Sequence, residues 1–268
     1  MSSVAAPGMR RPKRSPRELW ADGRSALGCF LMIPSALSAE IVAFAGYEWV
    51  CIDTQHGPIG RETMVAMVQT LQERVATLIR VAWNEPQLIM QALDAGADGV
   101  IVPMVSSRED AIAAAQACRY PPRGIRSWGP LRNALGRPGL TPEVEDEEAF
   151  CAVMIETAEA LERLDEIAAV DGVDALFVGP SDLSISALGG RVGAGATPES
   201  TRALESVQAA ARRHNLITGL HVSSAESGAR WRDAGFQMVS IQIDARLLAE
   251  AASRHLEAAL PAGGASEK

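Results

Sequence analysis

Two carboxylates, Glu156 and Asp182, stand just past two short apolar runs, residues 152–155 and 175–178, in the stretch 149–184. Between the runs, Leu161, Leu164, Ile167 and Ala168 recur at the spacing of one helical face, so the stretch reads as a strand–helix–strand crossover. Parallel strands joined this way bring their C-terminal ends to one edge of a sheet, where the two carboxylates meet. With no Cys or His beside them, they are hard oxygen ligands suited to Mg²⁺ or Mn²⁺ rather than zinc. The plainer alternative is a pair of capping acids at helix starts.

Other groups fall at equivalent positions. His56 follows a strand that ends near Asp53, and the apolar run before it argues against a surface position. There it could serve as a general base, with a nearby carboxylate fixing its tautomer. Arg80 closes a third apolar strand and either clamps an oxyanion or pairs with Asp53 or Glu156. His221 and Asp244 end two later strands and read as structural. His214 and His255 lie near helix ends and read as solvated. The only lysines are Lys13 and Lys268, so no strand supplies a Schiff-base amine and no P-loop lysine exists. If the chain handles a carbanion next to a carbonyl, a metal must take the electrons.

The elements that position these groups alternate regularly. Strands are predicted at 26–33, 48–52, 77–81, 99–105, 152–155, 175–178, 217–222 and 238–243, with helices between them. Four lead-ins, AGYEWVCID, AGADGVIVP, DGVDALFVG and AGFQMVSIQ, each set a small-Gly or Asp-Gly pair before a strand. Eight strands with this self-similarity predict a single (β/α)₈ TIM barrel, in which catalytic groups sit at strand C-terminal ends. An open doubly wound sheet is the competing architecture. Ser106-x-x-Glu109 and Ser223-x-x-Glu226 read as capping boxes, and Thr197-Pro198-Glu199 as a helix start. Residues 119–144 read as a long loop whose arginines meet an anionic substrate tail, pair with acids of another subunit or, the reading slightly favoured, pair with the acidic run 143–148; the glycine-rich 189–195 reads as a mobile lid.

Composition bounds the rest. The 268 residues suit one barrel over 16–260, flanked by a basic tail at 1–15 and a short tail at 261–268, both expected to be disordered. A net charge of −8 argues against nucleic acid or an anionic membrane as partner. No apolar run reaches the roughly 20 residues that span a bilayer. The four cysteines lack metal-ligand spacing and read as buried thiols of a cytoplasmic protein.

Six motifs then resemble one family in order: D-x-x-H-G-P at 53–58, R-V-x-W-N-x-P at 80–86, L-D-A-G-A-x-G-V-x-V-P at 93–103, Y-P-P-R-G-I-R at 120–126, I-E-T at 155–157 and G-P-S-D-L-S at 179–184. Together they are similar to the HpcH/HpaI class II pyruvate aldolases. The resemblance implies a homo-oligomeric barrel, a hexamer built as a trimer of dimers, with its last helix swapped between subunits. It implies cleavage of 4-hydroxy-2-oxo acids, such as 4-hydroxy-2-oxoheptanedioate or 2-keto-3-deoxy sugar acids, to pyruvate and an aldehyde with a divalent metal (Mg²⁺, Mn²⁺ or Co²⁺). Carried over, Glu156 and Asp182 hold the metal, His56 is the base acting through water, and Arg80 stabilises the enolate. Gly179, Pro180 and Ser181 frame the pyruvate carboxylate, with the Ser181 N–H as donor. Asp94 matches the histidine's dyad partner; at the far end of a crossover helix it reaches only the His56 of another subunit, and Asp53 is the partner within the chain. Many members carry Glu where this chain has Gln55, which alters the base's surroundings. Oxaloacetate decarboxylation, a citramalyl- or citryl-CoA-type lyase, and a non-catalytic 2-oxo acid binding protein are the alternatives.

Overall fold

The computed structural model describes residues 13–187, 189–190 and 197–260. Its eight parallel strands close into a barrel in chain order: β1 (Ala26–Leu31), β2 (Trp49–Asp53), β3 (Ala76–Arg80), β4 (Gly99–Val102), β5 (Phe150–Ile155), β6 (Ala175–Val178), β7 (Ile217–His221) and β8 (Met238–Ile243). The helices are α1 (Pro16–Trp20), α2 (Ala36–Phe44), α3 (Arg61–Leu71), α4 (Pro86–Asp94), α5 (Arg108–Ala117), α6 (Pro142–Glu148), α7 (Ala158–Glu162), α8 (Leu164–Ala168), α9 (Pro180–Ala187), α10 (Pro198–Arg213), α11 (Ala225–Asp233) and α12 (Asp244–Ala259). The (β/α)₈ expectation is thus borne out.

Strand alternation builds two apolar layers. Outward residues such as Val50, Ile52, Val100, Val153 and Val178 pack beneath the helices. Inward residues, among them Phe30, Trp49, Leu78, Phe150 and Phe177, fill the barrel with Trp20 of α1. The large rings fit because glycines face them. A Cβ on Gly28 would lie 2.1 Å from the Trp49 ring, and one on Gly219 2.3 Å from that of Phe177. Helix α1, closed by a Ser15–Glu18 capping box, sends the Trp20 indole N–H to the Gln237 carbonyl at 3.0 Å. It thereby plugs the end of the barrel where the strands begin.

At that closed end the four repeated lead-ins become four copies of one clamp. Gly46, Gly96, Gly172 and Gly235 all take φ between 90° and 98°, a left-handed turn open to glycine. Two residues later stand Glu48, Asp98, Asp174 and Gln237, each immediately before an even-numbered strand. Each side chain accepts the backbone N–H of the second residue of the preceding strand: Leu27 at 3.2 Å, Thr77 at 2.7 Å, Cys151 at 2.8 Å and Thr218 at 3.4 Å. Each also donates its own backbone N–H to that residue's carbonyl, at 2.8 to 3.1 Å. Salt bridges from Lys13 to Asp98 and from Arg17 to Asp174 extend two of the clamps to the start of the chain.

Several boundaries differ from the sequence reading for local reasons. Strand β1 stops before Met32 because the Met32 and Ile33 N–H groups turn to the Asp244 carboxylate. Strand β4 stops at Val102 because Pro103 has no N–H to offer and Met104 takes φ +57°. The two helix caps shift by one residue, and only the first of them is a capping box. Ser107, paired with Asp110, caps α5, since the Ser106 hydroxyl is bonded to that of Thr157 at 2.8 Å. Ser224 caps α11 through the Ser227 N–H. The single helix expected between β5 and β6 is divided at Arg163 into α7 and α8. The expected loop 119–144 leads into α6, capped by Thr141. The expected glycine lid lies outside the described residues except for Gly189 and Gly190.

Candidate active site

The polar residues of the barrel gather where the strands end. Asp53 and Arg80 are register partners on β2 and β3. Asp53 is fully buried and Arg80 nearly so, and the guanidinium forks onto the carboxylate with Nε–Oδ1 2.9 Å and Nη2–Oδ2 2.6 Å. The same Oδ1 accepts the N–H groups of Gln55 and His56 at 3.1 and 3.3 Å, while the Thr54 hydroxyl donates to the Arg80 carbonyl at 2.7 Å. The turn carrying His56 is therefore built on the ion pair. Phe30 of β1 supplies an apolar floor, with the Arg80 guanidinium carbon 5.1 Å from its ring centre.

His56 departs from its expected surroundings. It is exposed, because the turn leads outward from the buried strand, and Asp53 engages its backbone N–H rather than its ring. Asp94 lies at the other end of α4, paired with Arg126 at 2.8 Å, so within one chain it does not meet His56. Gln55 is half-buried and its Oε1 has no hydrogen-bond partner. Asp244 is structural, accepting from Met32, Ile33, Ser38 and Ala245. Of the arginines of 119–137, Arg126 pairs with Glu145 at 3.2 Å and Arg137 with Glu148 at 2.7 Å, whereas Arg119 pairs with Asp174 at 3.6 Å and Arg132 donates to the Gln72 amide oxygen.

Glu156 and Asp182 follow β5 and β6 at the same end of the barrel, near enough for the Asp182 charge to act on Glu156. Glu156 follows β5 and is buried, and its Oε1 accepts the N–H of Met104 at 2.7 Å. The left-handed turn at Met104 aims that N–H inward. A Cβ on Gly179 would fall 2.3 Å from Glu156 Oε2 and 2.8 Å from Met154 Cε, so only glycine leaves the carboxylate its place. Asp182 is exposed in the first turn of α9, one residue after Ser181. Burial raises the Glu156 carboxyl to about 7, the Met104 N–H opposes that, the Asp182 charge adds to it and Arg80 offsets part. Two acids whose charges repel suit a cation beside them. Among the described residues no three His, Cys, Asp or Glu side chains converge as a metal site. The protein would contribute two oxygen ligands and leave other positions to water and substrate, as Mg²⁺ and Mn²⁺ accept.

His221, read as structural from sequence, belongs to this face. Its Nδ1 lies 3.0 Å from the Ser240 hydroxyl and its ring meets Phe30 edge-on at 5.3 Å. Burial, then the Arg80 charge, lowers its pKa to about 4, so it is held neutral. The sequence signal was its inward parity on β7, shared with Ile217 and Gly219. A cavity of about 560 Å³ lies at the opposite, closed end among Lys13, Asp98, Arg126 and Glu145, away from these groups.

The chain is similar to known proteins over most of its length. The family model "HpcH/HpaI aldolase/citrate lyase" matches residues 26–251. A protein of Klebsiella pneumoniae named 4-hydroxy-2-oxo-heptane-1,7-dioate aldolase is 37% identical over 237 residues, covering 86% of this chain and 88% of that protein. The crystal structure of an HpcH/HpaI aldolase from Desulfitobacterium hafniense superposes with a TM-score of 0.85 at 25% identity, covering 94% of this chain and 99% of that one. The citrate synthase SbnG superposes with a TM-score of 0.81 at 29% identity, over 91% and 96% of the two chains. The matched span includes every strand of the barrel and every polar group at its open end, and the chain belongs to the HpcH/HpaI aldolase/citrate lyase family, as an enzyme of the lyase class.

Proposed function

We propose that the protein is a divalent-metal-dependent aldol lyase that cleaves 4-hydroxy-2-oxo acids to pyruvate and an aldehyde. The observation that carries this reading is the buried Glu156 carboxylate at the strand ends, within reach of the charges of both Asp182 and Arg80. A cation held there would supply Lewis-acid stabilisation of the charge that develops on the 2-oxo oxygen.

The chain's own groups divide the remaining work. The first turn of α9 has backbone N–H groups without helical partners, and Ser181 offers one to the substrate carboxylate. Asp53 fixes Arg80 through Nε and Nη2, which leaves Nη1 free for a substrate oxygen. His56, exposed at the rim, takes the C4 hydroxyl proton directly or through water as the C3–C4 bond breaks. That proton then returns to C3, and pyruvate leaves. Gln55 sets an uncharged amide beside the base.

We infer that the working form is a homo-oligomer. Helix α12 buries only Asp244 and exposes Leu248 and Leu256; α2 exposes Leu37 and Ile41. Both faces need cover, and exchange of α12 between subunits would provide it. A second copy would also bring its Asp94 to the His56 ring. A cytoplasmic site accords with four free, buried cysteines. No helix among the described residues is long and apolar enough to cross a membrane.

Pyruvate release is the test, measured with metal-stripped protein and after restoring Mg²⁺, Mn²⁺ or Co²⁺. Glu156→Gln and Asp182→Asn should each abolish metal-dependent release; full activity in either would overturn the assignment. Decarboxylation of oxaloacetate needs no hydroxyl base, so it should survive His56→Ala while aldol cleavage is lost.

A further inference from the structure

The polar face extends one strand beyond the groups used above. Val178 of β6 pairs with Ile155 on β5 and with Leu220 on β7. One residue further along the same register stand Glu156, Gly179 and His221. Two strand spacings separate Glu156 from His221, about 10 Å, and the residue between them has no side chain. Phe30 meets both the Arg80 guanidinium, at 5.1 Å, and the His221 ring, at 5.3 Å, so the imidazole borders the same chamber as Arg80.

That imidazole is fixed and has a free end. Nδ1 is bonded to Ser240, itself fully buried, and Phe30 holds the ring edge-on. Nε2 has no hydrogen-bond partner among the described residues, and the ring is only partly buried. The Ser240 hydroxyl can donate to Nδ1 or accept from it, so Nε2 can correspondingly donate or accept. The charged groups around the ring are Arg80 and Asp53 from β3 and β2 and Arg246 from α12, and they do not favour an imidazolium. A neutral group able to give or take one hydrogen bond matches a hydroxyl better than a carboxylate, which would call for a cation.

We propose that His221 is a specificity-determining residue that hydrogen-bonds, through Nε2, a hydroxyl on the aldehyde-derived half of the substrate, so that products of the 2-hydroxyaldehyde class are favoured. This rests on the aldol lyase reading. It assigns to β7 the selection of the half that the metal pair and Arg80 do not hold. A leucine at 221 would leave that hydroxyl unpaired in a partly closed site, a loss that discriminates well between substrates.

The test compares kcat/KM for 4,5-dihydroxy-2-oxopentanoate, which yields glycolaldehyde, with that for 4-hydroxy-2-oxopentanoate, which yields acetaldehyde. The wild type should favour the first. His221→Leu should lower the ratio of the two values about 10-fold, His221→Gln should recover part of it, and Ser240→Ala should lower it less. Circular dichroism and Mn²⁺ binding check that each variant folds; should His221→Leu fail, Ser240→Ala decides. A ratio within about twofold of wild type, or equal losses on both substrates, would overturn the role of His221 alone. Wild-type protein silent on both substrates with metal present would overturn the aldol lyase reading, and this role with it.

Discussion

Arg80 and Asp53 form a two-point fork, Nε to Oδ1 at 2.9 Å and Nη2 to Oδ2 at 2.6 Å, on register-paired residues of adjacent strands. The same carboxylate anchors the turn that presents His56, so one acid positions both the cation and the base. Arg80→Lys keeps the charge but loses the fork. It should lower kcat about 100-fold with little change in melting temperature, as steady-state pyruvate release and thermal denaturation would show.

Gly179 should tolerate no side chain. The Cβ of Gly179→Ala would meet the Glu156 carboxylate and the Met154 methyl at once, and one of them must move. Mn²⁺ affinity, followed by calorimetric titration, should weaken at least about 10-fold, with fold retained by circular dichroism.

Acid pH should act on stability through two opposed groups. His221 has a folded pKa of about 4, below its ordinary 6.5, so the unfolded chain takes up its proton first and stability is lost as pH falls from 6.5 to 4. Glu156 has a folded value of about 7, above its ordinary 4.5, so its effect on stability runs the other way, with loss as pH rises from 4.5 to 7. The wild type should therefore show a shallow profile across pH 4.5–6.5. His221→Leu should unmask the Glu156 trend, becoming more stable as pH falls from 7 to 4.5, by on the order of 2 kcal/mol in urea denaturation.

Removing one clamp should loosen the closed end. Asp174 accepts the Cys151 N–H and pairs with Arg17 at 2.6 Å and with buried Arg119 at 3.6 Å. Asp174→Ala leaves the buried Arg119 without its acid, a loss of about 3 kcal/mol. The melting temperature should fall by about 6–12 °C in calorimetry.

Much of this was readable because the barrel repeats. Each strand is a short buried run, and four follow the same glycine-led turn, so the strand count and the position of Glu156 and Asp182 came from pattern alone. What was misplaced depended on competition between neighbours. Paired serines at 106–107 and 223–224 both satisfy a capping motif, and the chain's path selects the second. The Thr141-Pro142-Glu143 start of α6 matches that of α10 at Thr197-Pro198-Glu199 but was masked by the Gly- and Arg-rich segment before it. The exposure of His56 was harder to read, because its turn is set by Asp53 of its own strand together with Arg80 from the next; His221 had the right parity, but what fixes its ring comes from Phe30 and Ser240 on other strands.

The four clamps divide the barrel into quarters that share a foot and differ at the head. The first quarter carries Phe30, Asp53 and His56; the second Arg80; the third Glu156 and Gly179; the fourth His221. Latches and chemistry lie at opposite ends of the same strands, so one can change while the other stays. A two-strand quarter with its own foot, Gly-x-acid in three quarters and Gly-x-Gln in the fourth, is then a transplantable cassette: it brings its own lock to the ring, and exchanging it rewrites one sector of the reaction chamber while the other three stand.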